Sequence, residues 1–222
     1  MGSRDRSYQV VTLVALVVAV LGLSVGFAAF SNTLTIKSSA EVKPDSSQFN
    51  VDLSAVADSV STSVVGVASG TAGATAGTAT IDNSGTASAS IENVSATFTE
   101  PGQTVTYTFH ARNVGTYAAY LNTITFGSAT GATAATETKV CTAGSGTSAT
   151  LVAAACEGIT LTLDVGSLTG VTATQTGISG HSLAASASEQ IVVTIAYTGT
   201  AKADGDFSVK FGDIVLQYDS VD

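Results

Sequence analysis

The sequence predicts an all-β protein: a β-sandwich of the immunoglobulin-like or jelly-roll type with about nine or ten strands, preceded by one hydrophobic export helix. Three observations lead to this prediction. Thr and Val are abundant, and β-branched residues favour pleated strands over helices. Apolar and polar residues alternate with a period of two in most segments, which is typical of strands with one buried face. Turn residues separate these segments at short intervals, as in a sandwich.

The charge and the residue inventory exclude several classes of function. Eight Lys and Arg stand against 17 Asp and Glu, a formal net charge of -9. Such a surface repels phosphate backbones, so no nucleic-acid partner is expected. The chain has two His, two Cys and no Trp, and it lacks the HExxH, GxSxG, P-loop and CxxC motifs. We therefore expect a structural protein, not an enzyme, with no catalytic residues and no cofactor apart from one candidate Ca²⁺ site.

Residues 1–31 are predicted to be an export segment. A basic start with two Arg precedes residues 10–30, a run of 21 mostly apolar residues. Small residues permit cleavage after Ser31 or Ala28, which makes the segment a signal peptide. The run also matches the ~20 residues that span a bilayer. The alternative is therefore that the segment stays uncut as an N-terminal membrane anchor, in which case residues 10–30 are the expected contact with the membrane. Either outcome places residues 32–222 outside the cytoplasm, secreted or at the cell surface.

Residues 32–43, directly behind the export segment, are predicted to form a strand. Its apolar side chains share one parity and are Leu34, Ile36, Ala40 and Val42. Thr, Lys, Ser and Glu residues occupy the other parity, so the extended segment has one apolar face. We call these twelve residues the donor segment, because such a strand is able to complete the sheet of a neighbouring molecule.

Residues 44–222 are predicted to form the sandwich. Its period-two segments are 49–53, 105–111, 159–165, 191–197, 207–211 and 214–218. Leu121, Ile124 and Phe126 form a further apolar segment after the turn at 113–116. The parity slips across Gly212-Asp213, which predicts a bulge or a tight bend. Residues 56–93, dense in Ala, Gly, Ser and Thr, are interpreted either as a flexible linker or as short strands with small side chains. The stretch PGQTVTYTFHARNVGT, residues 101–116, resembles the strand–turn–strand signature of bacterial surface immunoglobulin-like modules.

Cys141 and Cys156 are separated by 14 residues. In an exported chain the simplest interpretation is one disulfide, which closes a loop of about 15 residues and stabilises the fold by roughly 3 kcal/mol. A metal pair or a nucleophilic thiol is the alternative, although Glu157 is the only acid beside either cysteine.

Few polar residues are candidates for a site. Asp204 and Asp206 flank Gly205 in a predicted hairpin turn, where carboxylates and carbonyls are suited to a structural Ca²⁺; the alternative is a solvated acidic turn. His110 falls on the polar face of a predicted strand, and His181 is predicted to be a loop residue. Asn93-Val94-Ser95 fits the acceptor pattern for N-glycosylation.

The N-terminal region resembles that of the camelysin/TasA-like matrix fibre proteins of bacterial surfaces. The resemblance rests on VALVVAVLGLSVGFAAFSNTLTI, residues 14–36, and on the strand pattern behind it. Proteins of that family have a long export segment, a short strand after it and a β-sandwich rich in Thr, Ser and Ala, and they form fibres. Some members have been described as metallopeptidases, but this sequence lacks a zinc motif, so that activity is not implied here.

Two functions follow as expectations. In the first, the exported protein assembles with itself into surface or extracellular matrix fibres: donor segments bind neighbouring copies, and the head-to-tail contact repeats without closing. Its partners are other copies and candidate cell-surface or matrix components. In the second, the protein is a membrane-anchored β-sandwich adhesion or ligand-binding module whose loops recognise a glycan or a protein. The mass of the exported protein distinguishes them, because only the first requires cleavage.

Overall fold

A computed structural model of the chain describes four ranges, which are 50–55, 67–84, 88–134 and 136–220. The predicted export segment and the donor segment lie outside these ranges, so their predictions remain predictions. Within the described part, the helix that is present is too short to cross a membrane.

The described residues form sixteen strands and one helix. In chain order they are β1 (Val51–Ser54), β2 (Val67–Gly70), β3 (Thr75–Ala76), β4 (Thr80–Asp82), β5 (Ser88–Glu92), β6 (Ser95–Phe98), β7 (Thr104–Asn113), β8 (Ala119–Phe126), β9 (Lys139–Ala143), α1 (Ala149–Glu157), β10 (Ile159–Val165), β11 (Leu168–Val171), β12 (Gln175–Thr176), β13 (Ser182–Leu183), β14 (Ser188–Tyr197), β15 (Phe207–Phe211) and β16 (Ile214–Ser220).

The first sheet has the strand order β1-β7-β14-β10-β11, and β2 also pairs with β7. All of its pairs are antiparallel. Along β7, buried residues alternate with half-buried ones over all ten positions. Val105, Tyr107, Phe109 and Ala111 are fully buried, which is the parity that the sequence predicts.

The second sheet has the order β12-β8-β16-β5-β4, with β13 also pairing β8, and the third has the order β3-β6-β15-β9. Two chain connections link the second and third sheets. β5 leads into β6 across Asn93-Val94, and β15 leads into β16 across Gly212-Asp213. Asn93 adopts a left-handed φ of 57° at the first of these bends. The second bend confirms the break that the parity slip predicts, and there the chain passes from one sheet to another.

One hydrophobic core joins the first sheet to the other two. Tyr197 of the first sheet lies edge-on to Phe207 of the third, with ring centroids 5.5 Å apart. Phe98, also of the third sheet, contacts the same tyrosine at 6.1 Å. Such edge-to-face pairs are favoured by the charge distribution of aromatic rings. The protein is therefore an all-β sandwich, as the sequence predicts.

The number of strands exceeds the nine or ten predicted. The additional strands are short: β9 and β11 have five and four residues, and β3, β12 and β13 are only two residues long. Within the described part of residues 56–93, the small residues form β2, β3, β4 and β5. The interpretation as short strands is thus correct for those residues, and the interpretation as a flexible linker is wrong for them.

Candidate functional site

The predicted self-assembly residues Leu34, Ile36, Ala40 and Val42 belong to the donor segment, outside the described residues. The described sandwich has two kinds of feature that bear on function: depressions beside the strand edges and clusters of polar side chains.

Cys141 and Cys156 form the predicted disulfide, with Cα atoms 6.0 Å apart. Cys141 lies in β9 and Cys156 near the end of α1, so the bond holds the helix against the edge of the third sheet. A helix of nine residues is marginal by itself in water, and a covalent tie of this kind helps to fix its position. The disulfide fits an extracytoplasmic location.

Beside β9, a cleft of about 330 Å³ opens between β10 of the first sheet and the bend that joins β15 to β16. We call it the edge cleft. Its lining residues are Phe126, Gly127, Thr138, Lys139, Ile159, Thr160, Leu161, Thr172, Phe211 and Gly212. The apolar members form most of its floor, and Leu161 and Phe211 each keep 8% of their surface exposed. The cleft is therefore apolar at its base and polar at its rim.

The edge cleft follows the part of β10 that has a strand on one side only. β14 pairs with all seven residues of β10, Ile159–Val165. On the other side β11 pairs with Leu163 and Val165 alone. Among the described residues, no strand therefore covers that edge of β10 at positions 159–162.

After β11, the chain no longer runs beside β10, because it crosses from the first sheet to the second. After Val171 ends β11, Thr174 Oγ1 accepts a hydrogen bond of 3.0 Å from the Phe126 backbone N–H, and Gln175 pairs with Ile124 of β8. Residues 172–174 thus connect the first sheet to the second. The crossing takes the chain away from β10, so β11 covers only the second half of that strand's edge.

Lys139 lies at this edge, and its ammonium donates a hydrogen bond to the backbone carbonyl of Ile159. Burial lowers the pKa of Lys139 below its usual range, and the charge of Glu157 opposes that shift. A wider depression of about 590 Å³ borders the same lysine, between α1 and the loop before β9. Glu137 and Glu157 line this depression, and Lys139 lines both it and the edge cleft.

A buried polar cluster forms where sequence reasoning predicts only a loop residue. His181 does lie in a loop, directly before β13, but only 8% of its side chain is exposed. Its Nε2 is 2.7 Å from Glu189 Oε2, and Tyr218 donates a hydrogen bond of 3.1 Å to Glu189 Oε1. The cluster joins β14 of the first sheet to β16 of the second.

Burial raises the pKa of Tyr218 well above its usual value, and the charge of Glu189 adds to the shift. A neutral phenol that donates to a carboxylate is a stable arrangement in a dry core. Neither of the two depressions described above is lined by His181, Glu189 or Tyr218. The geometry of the cluster suits a role in stability. The spacing of the three residues along the chain carries no signal that predicts the contact.

His110 lies in β7 with its side chain half-buried, opposite Ser54 of β1 and Gln190 of β14. Its Nδ1 is buried without a hydrogen-bond partner among the described residues. No group of three or more His, Cys, Asp or Glu side chains in the described ranges is close enough together to hold a metal ion. His110 therefore belongs to no such group within the described ranges.

Asp204 and Asp206 lie in the turn before β15, where they contact the loop that leads into α1. Asp204 Oδ1 accepts a hydrogen bond of 2.8 Å from the Ser148 backbone N–H. The backbone carbonyl of Asp206 accepts from the Gly144 N–H at 2.9 Å and from Thr147 Oγ1 at 3.1 Å. One carboxylate of the predicted Ca²⁺ site therefore already holds the start of the helix, and Ca²⁺ binding stays a prediction.

The fold and these surfaces define a class: an all-β sandwich with one disulfide and a half-covered edge strand. No protein-family model, curated protein or solved structure matches the chain. The resemblance to the camelysin/TasA-like proteins consequently rests on the sequence of the N-terminal region.

Proposed function

We propose that the protein is an exported structural subunit that assembles into surface or extracellular matrix fibres by donating its N-terminal strand. The observation that carries the proposal is the apolar stripe of the donor segment, directly behind an export sequence and in front of an all-β body. A strand with one apolar face has to bury that face, and an antiparallel sandwich offers backbone edges for it.

The chemistry of the body supports a structural role. Small and β-branched residues supply the strands, and a disulfide fits an oxidising, extracytoplasmic environment. The net charge of -9 keeps the folded surface soluble until specific contacts form. Because strand donation uses different surfaces on the two partners, it repeats into an open fibre.

The test removes residues 32–43 from the exported protein and examines the purified product by electron microscopy. We expect a folded monomer that forms no fibres. A sharper variant, Leu34→Asp with Ile36→Asp, puts charge on the apolar parity and should also abolish fibres. Its control, Thr33→Asp with Thr35→Asp, places the same charge on the polar parity and should leave fibres intact. Unchanged fibres after the deletion would refute strand donation.

The membrane-anchored adhesion or ligand-binding module is the second candidate. The observation that favours it is the 21-residue length of the apolar run, which matches a bilayer span. Intact mass of the exported protein decides between the two, because loss of about thirty residues supports the fibre and full length supports the anchor.

A further inference from the structure

We propose that Cys156 is a site of reversible S-thiolation, at which a small-molecule thiol opens the Cys141–Cys156 disulfide of the folded protein and stays bound to Cys156. The inference does not depend on fibre assembly, because it concerns only the disulfide and its surroundings. Three features of the described residues carry it: the access to the disulfide, the charges on either side of it, and the limited attachment of α1 to the sandwich.

The disulfide lies at the surface, within reach of a small solute. Cys141 and Cys156 are each half-buried, and both line the depression of about 590 Å³ between α1 and the loop before β9. Among the described strands β9 pairs with β15 alone, so Cys141 lies in an edge strand of the third sheet. Access to the sulfur atoms is one of the conditions for thiol–disulfide exchange, and the depression provides it.

The exchange begins when the thiolate of the small molecule attacks Cys156 Sγ. A new S–S bond forms between these two sulfur atoms, and the bond between Cys156 Sγ and Cys141 Sγ breaks. The bonding electron pair leaves with Cys141 Sγ as a thiolate, so the sulfur of the small molecule is oxidised and that of Cys141 is reduced. Attack of the Cys141 thiolate on Cys156 restores the original bond and releases the thiol, which makes the modification reversible.

The charges beside the disulfide determine which cysteine leaves. Of the residues that line the depression, Lys139 is the cation, and Glu137 and Glu157 are the anions. Lys139 and Cys141 are two residues apart in β9 and therefore share one face of the strand. An ammonium group stabilises a nearby thiolate, and a sulfur that is stable as a thiolate leaves faster. Cys156 is followed directly by Glu157, and a carboxylate disfavours a second negative charge beside it. Cys141 is therefore the leaving group.

Helix α1 has few contacts that would keep its end against β9 once the disulfide opens. Of its nine residues only Val152 and Ala155 are buried. The Asp204 carboxylate accepts a hydrogen bond from the Ser148 N–H, but this bond lies at the start of the helix, at the opposite end from Cys156. Opening the disulfide therefore frees the C-terminal end of α1, which makes room for the adduct and separates the two sulfur atoms.

The test treats the full exported protein, folded in buffer, with 2-mercaptoethanol as a neutral probe thiol. The chain has two cysteines, so no other thiol of the protein competes. Early samples are stopped with acid and alkylated with N-ethylmaleimide, and fragmentation of the peptide that holds both cysteines locates each group by mass spectrometry. We expect 2-mercaptoethanol on Cys156 and the maleimide on Cys141. Adducts that are equally or mainly on Cys141, or release of both cysteines without an adduct, would overturn the proposal.

Charge variants test the choice of the leaving group. Lys139→Gln removes the positive charge and keeps a hydrogen-bond donor for the Ile159 carbonyl. We expect it to slow adduct formation about threefold or more. The matched control is Lys210→Gln, because Lys210 of β15 is exposed and pairs with Val140, on the opposite face of the third sheet from Cys141. It should leave the rate unchanged. Equal rates in the parent and in Lys139→Gln, both folded at the temperature used, would contradict the proposed direction of the exchange.

Urea separates the reaction of the folded protein from a reaction that requires unfolding. At urea concentrations below the unfolding transition, we expect the rate of adduct formation to stay nearly constant, because attack on an accessible disulfide exposes little core surface. A rate that rises exponentially from zero urea, with the slope of global unfolding, would show that only the unfolded chain reacts. That result would overturn the proposal, and it would leave the proposed fibre function untouched.

Discussion

Glu189 Oε2 lies 2.7 Å from His181 Nε2, and the two side chains expose only 11% and 8% of their surface. The second carboxylate oxygen accepts the Tyr218 hydroxyl at 3.1 Å. One carboxylate thus ties a loop and a strand of the second sheet to the first sheet. Buried polar groups are costly to leave without a partner. Removal of this carboxylate should therefore destabilise the packing of the first sheet against the second.

The first prediction concerns this carboxylate. Glu189→Ala leaves the His181 ring and the Tyr218 hydroxyl without their shared hydrogen-bond partner. It should lower the free energy of unfolding by roughly 3 kcal/mol. Urea denaturation followed by tyrosine fluorescence measures the change. Tyr218→Phe removes a single hydrogen bond and should cost about 1 kcal/mol.

An exposed ion pair provides the control for Glu189. Glu100 Oε1 lies 2.8 Å from Lys202 Nζ, and both side chains are more than half exposed. Because water screens such a pair, Glu100→Ala should leave the urea midpoint unchanged. Similar losses in Glu100→Ala and Glu189→Ala would show that burial does not set the contribution of these carboxylates.

The second prediction concerns the disulfide. Cys141→Ser with Cys156→Ser should lower the free energy of unfolding by about 3 kcal/mol, the value for a closed loop of this length. It should also expose α1 to proteolysis, because only Val152 and Ala155 of the helix are buried. Denaturation of the parent protein with and without reductant gives an independent measurement. Identical midpoints would mean that packing alone holds the helix.

The third prediction concerns alkaline pH. Burial raises the pKa of Tyr107 to about 12, against about 10 for an exposed phenol. The unfolded chain therefore loses this proton first as the pH rises. The stability that the neutral phenol contributes is complete below about pH 10 and is lost between about pH 10 and 12.

Tyr107→Phe should flatten the fall of stability with pH in that window. Burial raises the pKa of Tyr197 and Tyr218 as well, so a smaller fall remains in the variant. Tyr117, which is 54% exposed, serves as the control, and Tyr117→Phe should keep the slope of the parent. Denaturant midpoints measured across the pH range give these slopes, and a Tyr107→Phe slope equal to that of the parent would contradict the prediction.

Much of the sandwich is predictable from sequence where burial is one-sided. β7, β10 and β14 alternate buried and less buried residues along most of their length, and that period of two is visible in the residue types alone. The break at Gly212-Asp213 is visible for the same reason, because a change of parity marks a change of face.

The helix and the polar cluster are not predictable in this way. In α1 most of the residues are small, so no apolar stripe of helical period distinguishes them from a loop. Its position depends on two contacts that are distant in sequence, the disulfide and the bond from Ser148 to Asp204. The cluster around Glu189 and the uncovered edge of β10 likewise arise from pairing between separate segments, which local patterns do not encode.

The last prediction concerns the bend between β15 and β16. Gly212 lies so close to Gly127 that a Cβ atom would fall 2.1 Å from the Gly127 carbonyl oxygen. The Gly127 N–H donates to the Asp213 carbonyl at 2.8 Å, so neither backbone is free to move away. Gly212→Ala should therefore lower the free energy of unfolding by at least about 2 kcal/mol.

The control for this bend is Gly70→Ala at the end of β2, where the nearest atoms to an added Cβ are 3.5 Å away. That contact is an ordinary one, and the loss of unfolded-state freedom should leave stability equal or slightly higher. Thermal unfolding of the two variants measures the difference in stability, and equal midpoints for Gly212→Ala and Gly70→Ala would show that the close backbone approach does not constrain the bend.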